Sequence, residues 1–193
     1  MGRARGILLV LVLVLACTSQ EKKAREEPLL PAETFNWSPA VPLTFQPPPA
    51  QWERQKHNQG GLLGVWFTHK GSVGERIYVS EYYKTGRRLL HAKNRWPSSI
   101  DDVVEETRFS TEGWPVPADS FVVEPMLPDT VAGMPAYRLD FTLNMPEKIL
   151  VGREYYFLKR DHLFEAAFLG LPVNLPLFER VVDSITFETP GGH

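Results

Sequence analysis

Four runs of residues in the second half of the chain are each long enough for a β-strand, and only short breaks separate them. They extend over residues 121–127, 136–143, 149–158 and 162–170. Several alternate apolar and polar residues, as in Tyr137-Arg-Leu-Asp-Phe-Thr-Leu143, which is typical of a strand with one buried face. Because consecutive strands without helices between them pair antiparallel, this half of the chain predicts an antiparallel sheet.

The rest of the folded part adds strands and helices. Further strands are predicted over residues 41–45, 62–69, 76–83 and 184–188. Helices are predicted over residues 47–57, 98–109 and 174–184. In the last of these, Asn174 is predicted as the cap, and Leu177, Phe178, Val181 and Val182 as the buried stripe. The order predicts an α+β domain, an antiparallel sheet of about six to seven strands with helices packed on it.

The N-terminus has the parts of an export signal. Arg3 and Arg5 precede an apolar run over residues 7–16, and the chain becomes polar directly after Cys17. Ten residues cover about 15 Å as a helix, whereas a bilayer core of ~30 Å needs about 20. We therefore expect residues 1–16 to be a signal peptide and not a membrane-spanning helix.

The only cysteine of the chain stands where this apolar run ends. Val14-Leu15-Ala16-Cys17 resembles the lipobox of bacterial lipoproteins. That resemblance implies that the Cys17 thiol receives a diacylglyceryl group and that the signal is cut before it, which leaves a domain without disulfides. It also implies a lipid anchor in the cell envelope facing the periplasm, with the outer membrane favoured because Thr18 is not an Asp. The alternatives are an ordinary secretory signal with an incidental cysteine and a retained, uncleaved anchor.

Composition divides the remaining chain. Residues 17–34 are charged, contain prolines and lack periodicity, which predicts a flexible tether. Residues 35–189 are expected to form a single domain and residues 190–193 a disordered tail. Loss of Arg3 and Arg5 with the signal changes the formal net charge from −2 to −4, so nothing indicates a nucleic-acid partner.

An ordered set of segments resembles the PsbP-like superfamily, which includes photosystem extrinsic proteins, DcrB-type envelope lipoproteins and chaperones for secreted effectors. The segments are Pro49-Ala-Gln-Trp52, the predicted helix 98–109, Val131-Ala-Gly-Met-Pro-Ala-Tyr137, Asp161-His-Leu-Phe164 and Ser184-Ile-Thr-Phe187. The likeness spans most of residues 41–188. It implies an α/β/α sandwich that serves as a binding or assembly module, usually without catalysis, and it carries over no ligand residues.

Residues that bear chemistry do not form a recognisable catalytic motif. The five histidines have no pair at helical spacing, and no cysteine remains to help them, so we expect no metal and no cofactor. Ser80 lacks the flanking glycines of a nucleophile elbow and is interpreted as a strand serine. Asp101 and Asp102 are interpreted as charges that favour the start of a helix.

Aromatic residues crowd the first half of the chain, and adjacent pairs such as Tyr82-Tyr83 cannot both point inward from a strand. Exposed aromatics beside arginines are typical of an interface. The candidate interface residues are Tyr82, Tyr83, Arg87, Trp96 and Trp114. The alternative is scattered surface aromatics, which need no partner.

Two functions follow from these observations. The favoured one is a non-enzymatic envelope lipoprotein that binds another envelope protein or a small apolar ligand; a chaperone-like module is not separable from it. The alternative is a lipid-anchored hydrolase, which would need a cleft holding a Ser–His–acid set or two carboxylates.

Replacement of the anchor residue tests the lipobox. Cys17→Ser should accumulate as an unprocessed, slower-migrating form and lose incorporation of labelled acyl chains, since the modified thiol is gone. Gel migration and acyl labelling measure this. Processing identical to that of the wild type would contradict lipidation at Cys17.

Overall fold

A large antiparallel sheet runs through the domain. The computed structural model describes residues 27–37, 41–59, 62–72, 74–82, 99–106 and 120–187. The first strands are β1 (Glu33–Phe35), β2 (Leu43–Phe45), β3 (Trp52–Gln59), β4 (Leu62–His69) and β5 (Arg76–Tyr82). Helix α1 (Ile100–Glu106) follows, and then β6 (Phe121–Val123), β7 (Leu127–Val131), β8 (Met134–Met145), β9 (Lys148–Lys159) and β10 (His162–Gly170). A 3-10 turn (Pro172–Asn174), helix α2 (Leu175–Asp183) and β11 (Thr186–Phe187) complete the described elements.

The strands form two sheets. The large sheet has the order β3-β4-β5-β10-β9-β8-β6, with β7 also paired to β8, and every pairing in it is antiparallel. The small sheet has the order β1-β2-β11. Two-residue turns join β7 to β8 and β9 to β10; Ala132, Gly133 and Arg160 adopt positive φ there, as tight hairpins require.

The two faces of the large sheet are covered differently. On one, the α2 face, Phe164 and Phe168 of β10 pack against the buried stripe of α2 and against Leu43 and Phe45 of the small sheet. On the other, the α1 face, Val103 of α1 packs against Tyr156 and Leu163. A helix on each face of the sheet confirms the predicted α+β class and the sandwich arrangement.

Most predicted elements are present. The strands predicted over residues 62–69, 76–83 and 162–170 agree with β4, β5 and β10, and the stripe predicted for α2 is buried. Within the described residues, eleven strands are formed, eight of them in the large sheet, for which about six to seven were expected. Strands β1, β3 and β7 were not predicted. Of the predicted helix 98–109, residues 100–106 are described as helical.

The helix predicted over residues 47–57 is wrong. Residues 52–59 form β3, whose ladder with β4 runs from Trp52 opposite His69 to Gln59 opposite Leu62. Strand β3 lies at the end of the sheet, and Glu53, Arg54 and Lys56 are exposed. Because an edge strand that is mostly exposed does not need alternating apolar residues, no period of two marked it in the sequence.

Two further details differ from expectation. Asn174 stands at the cap position of α2 but makes no side-chain cap bond, and its Nδ2 donates to Glu75 Oε2 at 2.6 Å. Part of the segment assigned to the tether is folded onto the domain. Strand β1 begins at Glu33, Leu29 packs against the core, and the Leu30 amide donates to the Pro47 carbonyl.

Close packing on the α1 face generates a test of the fold. The Phe141 ring covers Gly152, where a Cβ would overlap it. Gly152→Ala should therefore destabilise the protein by about 1–3 kcal/mol in urea unfolding. In a Phe141→Ala background the same change should cost much less, because the overlapping ring is absent. Additive effects in this double-mutant cycle would contradict the packing described.

Candidate functional site

The candidate interface residues fall largely outside the described residues. This holds for Tyr83, Arg87, Trp96 and Trp114, and also for Cys17. Tyr82 is described at the end of β5, where it is partly buried and its hydroxyl donates to Glu165 Oε2 at 2.6 Å. The Tyr82 hydroxyl thus has a partner inside the domain, and the interface at these five residues stays a prediction.

A cluster of tyrosines and glutamates occupies the middle of the α1 face. It consists of Tyr78, Tyr82, Glu154, Tyr156 and Glu165, and we call it the tyrosine–glutamate cluster. Tyr78 and Tyr82 donate to the two oxygens of Glu165, at 2.8 and 2.6 Å, and Tyr156 donates to Glu154 Oε2 at 2.8 Å. Strand register brings these side chains together.

The residues of this cluster lie on three adjacent strands, β5, β10 and β9. Glu165 of β10 lies opposite Tyr156 of β9, while Glu154 and Tyr78 lie on either side of Ala167. Residues two apart on a strand share a face, so the five side chains must point to the same side of the sheet. The small Ala167 side chain leaves room between Tyr78 and Glu154 for their longer groups.

Burial sets the protonation of this cluster. It raises the pKa of Glu165, which is 3% exposed, while the hydroxyls of Tyr82 and Tyr78 act in the opposite direction. Burial and then the charge of Glu165 raise the pKa of Glu154. Within the described part of the chain, neither glutamate forms an ion pair with a lysine or arginine. Glu154 and Glu165 therefore together hold a proton at pH values at which two separate, exposed carboxyl groups would both be ionised.

Burial, reinforced by the two glutamates, also raises the pKa values of Tyr78 and Tyr156. Both phenols accordingly remain protonated donors at neutral pH.

The described residues hold no Ser–His–acid set around Ser80. Its Oγ is buried with no hydrogen-bond partner, so the structure supports the interpretation as a strand serine. A short His–acid contact lies on the α2 face, where His162 Nδ1 is 2.5 Å from Glu81 Oε1. Burial is the main cause that raises the pKa of Glu81, and His162 opposes it.

Two cavities open on the surface away from this cluster. The first, of about 350 Å³, lies beside the β3–β4 edge and is lined by Trp37, Arg54 and Lys56 above apolar residues that include Leu63 and Val65. The second, of about 590 Å³, lies beside the start of α2 and includes the buried Glu75 in its wall. Neither Glu154 nor Glu165 lines either cavity.

Exposed large apolar side chains lie on the edge strands β6 and β7 of the large sheet and at the start of the interior strand β9. Of the large hydrophobic residues that are exposed in the described chain, four lie on β6, β7 and β9: Val122 (51%), Val123 (41%), Leu127 (46%) and Ile149 (55%). Strands β6 and β7 both pair with β8 along one side, and no other described strand pairs with them. Val122 and Leu127 share the α2 face, and Val123 points to the opposite face. We call Val122, Val123 and Leu127, which lie on the edge strands, the apolar edge.

The two ends of the sheet therefore differ in chemistry. Strand β3, at the opposite end, exposes Glu53, Arg54, Gln55 and Lys56. Charged edges resist the addition of another strand, whereas an exposed apolar edge favours contact with another chain.

The described residues contain neither a cluster of metal ligands nor a membrane-spanning helix. No group of three or more histidine, cysteine, aspartate or glutamate side chains there could hold a metal ion. No helix in the described ranges is both long and apolar enough to cross a bilayer. His91 lies outside these ranges.

Sequence reasoning missed most of the tyrosine–glutamate cluster. One signal was present, because Glu165 interrupts the apolar run Leu163-Phe-Glu-Ala-Ala-Phe-Leu169. A charge inside a strand that is buried on both faces needs hydrogen-bond partners, and the tyrosines of β5 and β9 were available. Only the register shows which of them are near enough.

Comparison with known proteins supports the fold. No protein-family model and no curated protein sequence matches this chain. Among solved structures, CyanoP, the cyanobacterial PsbP of Synechocystis sp. PCC 6803, superposes with a TM-score of 0.53 and 13% identity over 84% of this chain and 96% of CyanoP. LpqN of Mycobacterium tuberculosis, described as involved in cell envelope biogenesis, gives a TM-score of 0.50 and 11% identity over 82% of this chain and 91% of LpqN.

A third structure, from Bacteroides thetaiotaomicron VPI-5482, has a TM-score of 0.49 and 10% identity; 78% of this chain matches 46% of that protein, so the chain spans less than half of its length. At these identities the likeness concerns the fold alone. The chain has a PsbP-like α+β fold, as the resemblance predicted.

The buried carboxyls generate a pH prediction. A glutamate whose pKa is raised above its ordinary 4.5 holds a proton that the unfolded chain releases, so stability falls as pH rises from that value through the folded pKa. Each such proton changes the unfolding free energy by at most about 1.4 kcal/mol per pH unit. Glu165→Gln removes one of the carboxyls and relieves Glu154 of its charged neighbour. The loss of stability between about pH 5 and 8 should then be smaller than in the wild type.

Urea unfolding across this pH range measures the effect. Glu147→Gln, in the exposed turn between β8 and β9, is the matched control because it removes the same charge from a solvated position. It should keep the wild-type slope. The same slope in Glu165→Gln as in the wild type would contradict the raised pKa.

Proposed function

We propose that this chain is a lipid-anchored cell-envelope lipoprotein whose domain binds another envelope protein and performs no catalysis. The anchor is the lipid on Cys17, and the domain faces the periplasm, with the outer membrane favoured. The lipobox Val14-Leu15-Ala16-Cys17 supports this address. Triacylation of Cys17 would supply more than one acyl chain, which stable anchoring requires.

The apolar edge is the observation that carries the binding function. Exposed large hydrophobic residues are ordinarily scattered over a protein surface, whereas here three lie on the edge strands β6 and β7, with Val122 and Leu127 on the same face. An extended segment of a partner would pair with β7, which among the described strands pairs only with β8, and would place apolar side chains against Val122 and Leu127. The partner we propose is thus an envelope protein that offers an apolar, extended segment.

The shared fold gives independent support. LpqN is described as involved in cell envelope biogenesis, and its domain matches this one over most of both chains. A module that works in assembly needs a surface for partners and no reaction centre. The proposal extends that use to this chain.

A hydrolase is the second candidate, and the Glu154–Glu165 pair is the observation that favours it. Two carboxyls with raised pKa values are suited to acid–base chemistry. Against this, both oxygens of Glu165 accept hydrogen bonds from tyrosines, and neither acid borders a described cavity. Chromogenic esters and glycosides test this candidate. Hydrolysis by the wild type that is lost in Glu165→Gln would favour the hydrolase. The same background rate in both proteins would favour the binding function.

The first cavity would also admit a small apolar ligand. Its volume of about 350 Å³ lies at the lower end of the range of ligand pockets, and Leu63 and Val65 form part of its wall. Binding there would not involve the apolar edge, which lies at the other end of the sheet.

Charge placed at the apolar edge tests the proposal. In Val122→Lys and Leu127→Lys, a lysine would have to lose water on contact with an apolar partner, so co-purification from gently solubilised envelopes should fall by about ten-fold or more. The partner is scored as the protein recovered with the wild type, by quantitative mass spectrometry.

The matched control is Gln55→Lys, which adds the same charge to the exposed face of β3 at the opposite edge. It should recover the partner at the wild-type level. Equal recovery with all three variants would show that the apolar edge is not the binding surface, and loss with all three would indicate a general effect of charge.

A further inference from the structure

The second cavity has the features of a binding site that neither the fold nor the proposed function explains. It lies between the β4–β5 loop, the start of α2 and residue Glu27, and its volume of about 590 Å³ is within the range of small-molecule pockets. Trp52, Val173 and Leu177 contribute apolar wall, whereas Glu27, His69 and Glu75 contribute polar groups. An apolar pocket with a few convergent polar groups is the usual form of a ligand site.

Glu75 is the dominant charge of this cavity. The residue is 1% exposed, and its two oxygens accept one hydrogen bond each, from Ser72 Oγ at 2.5 Å and from Asn174 Nδ2 at 2.6 Å. Both donors are neutral, and no lysine or arginine of the described ranges pairs with this carboxylate. A buried carboxylate without a cation is costly, which favours a ligand that supplies one.

The polar wall has other acceptors that point to the same ligand chemistry. The Nδ1 atom of His69 is buried without a hydrogen-bond partner, and it is an acceptor in the tautomer that carries the ring proton on Nε2. The His69 ring packs edge-on against Trp52 at 5.0 Å. Glu27 adds a second carboxylate, which already accepts a bond from Gln51 Nε2 at 2.5 Å. A ligand that donates hydrogen bonds and carries positive charge would satisfy these groups.

We infer that this cavity binds a protonated primary amine attached to an apolar body. The ammonium group lies at Glu75, where it supplies the positive charge that no described lysine or arginine supplies. The apolar body packs on Trp52, Val173 and Leu177. An ammonium offers three donors and accepts nothing, which suits a wall of acceptors. A metal ion fits less well, because no described cluster of three ligating side chains exists here.

This inference is independent of the proposed function, because the cavity and the apolar edge are formed by different strands. The amine has two possible sources, a small free molecule or the lysine side chain of another protein. Both present the same chemistry to Glu75, and they differ in whether a peptide backbone accompanies it.

Calorimetric titration of the full chain with n-hexylamine, n-hexanol and hexanoate tests the inference. We expect hexylamine to bind at least about ten-fold more tightly than the neutral alcohol, and hexanoate not to bind. Nα-acetyl-lysine methylamide is the fourth probe. Tighter binding of this probe than of hexylamine identifies a lysine side chain as the source, and weaker binding identifies a small amine.

Two variants locate the binding. Glu75→Gln should weaken hexylamine binding by at least about ten-fold, whereas Glu147→Gln, with the same loss of charge in an exposed turn, should not change it. Val173→Phe fills the cavity with its charge intact and should also abolish binding, which tests the site if Glu75→Gln does not fold. Equal affinity for hexylamine and hexanol, or wild-type affinity in folded Glu75→Gln or Val173→Phe, would overturn the inference.

Discussion

Strand β10 pairs with β5 on one side and β9 on the other, and its residues from Leu163 to Gly170 are all buried. Because no side chain of this stretch meets water, each face of the sheet must be covered. Helix α2 and the small sheet cover the row of Phe164, Ala166 and Phe168, and α1 packs near Leu163 on the other face. The positions of the two helices thus follow from the burial of one strand.

The same burial encloses a charged residue in the interior. Glu165 lies within this buried strand, and its cost is offset by hydroxyl donors from Tyr78 and Tyr82. These bonds tie β5 to β10 through side chains as well as backbone. The partner contact that we propose lies three strands away from β10, where Val122 and Leu127 are exposed and β8 is the one described strand that pairs with β6 or β7.

Elements with a strong periodic signal were predicted correctly, and elements without one were not. The alternation in β8 and the apolar stripe of α2 were sufficient, because each buries one face against the core. Strand β3 is polar and exposed, and β7 contains Pro128, so neither has an alternating pattern. Both exist because a neighbouring strand, β4 or β8, supplies their backbone partners, and a local pattern does not contain that information.

The sequence by itself determined the α+β class, the antiparallel pairing of β8, β9 and β10, and the resemblance to a PsbP-like domain behind a predicted lipobox at Cys17. These depend on local periodicity and on short connections, which are properties of neighbouring residues. Only the tertiary structure decided which residues meet across strands. Glu165 reaches Tyr78 over 87 positions, and Glu75 reaches Asn174 over 99. Such pairs are set by register and by the packing of α2, since a one-residue shift of a strand would move every side chain to the opposite face.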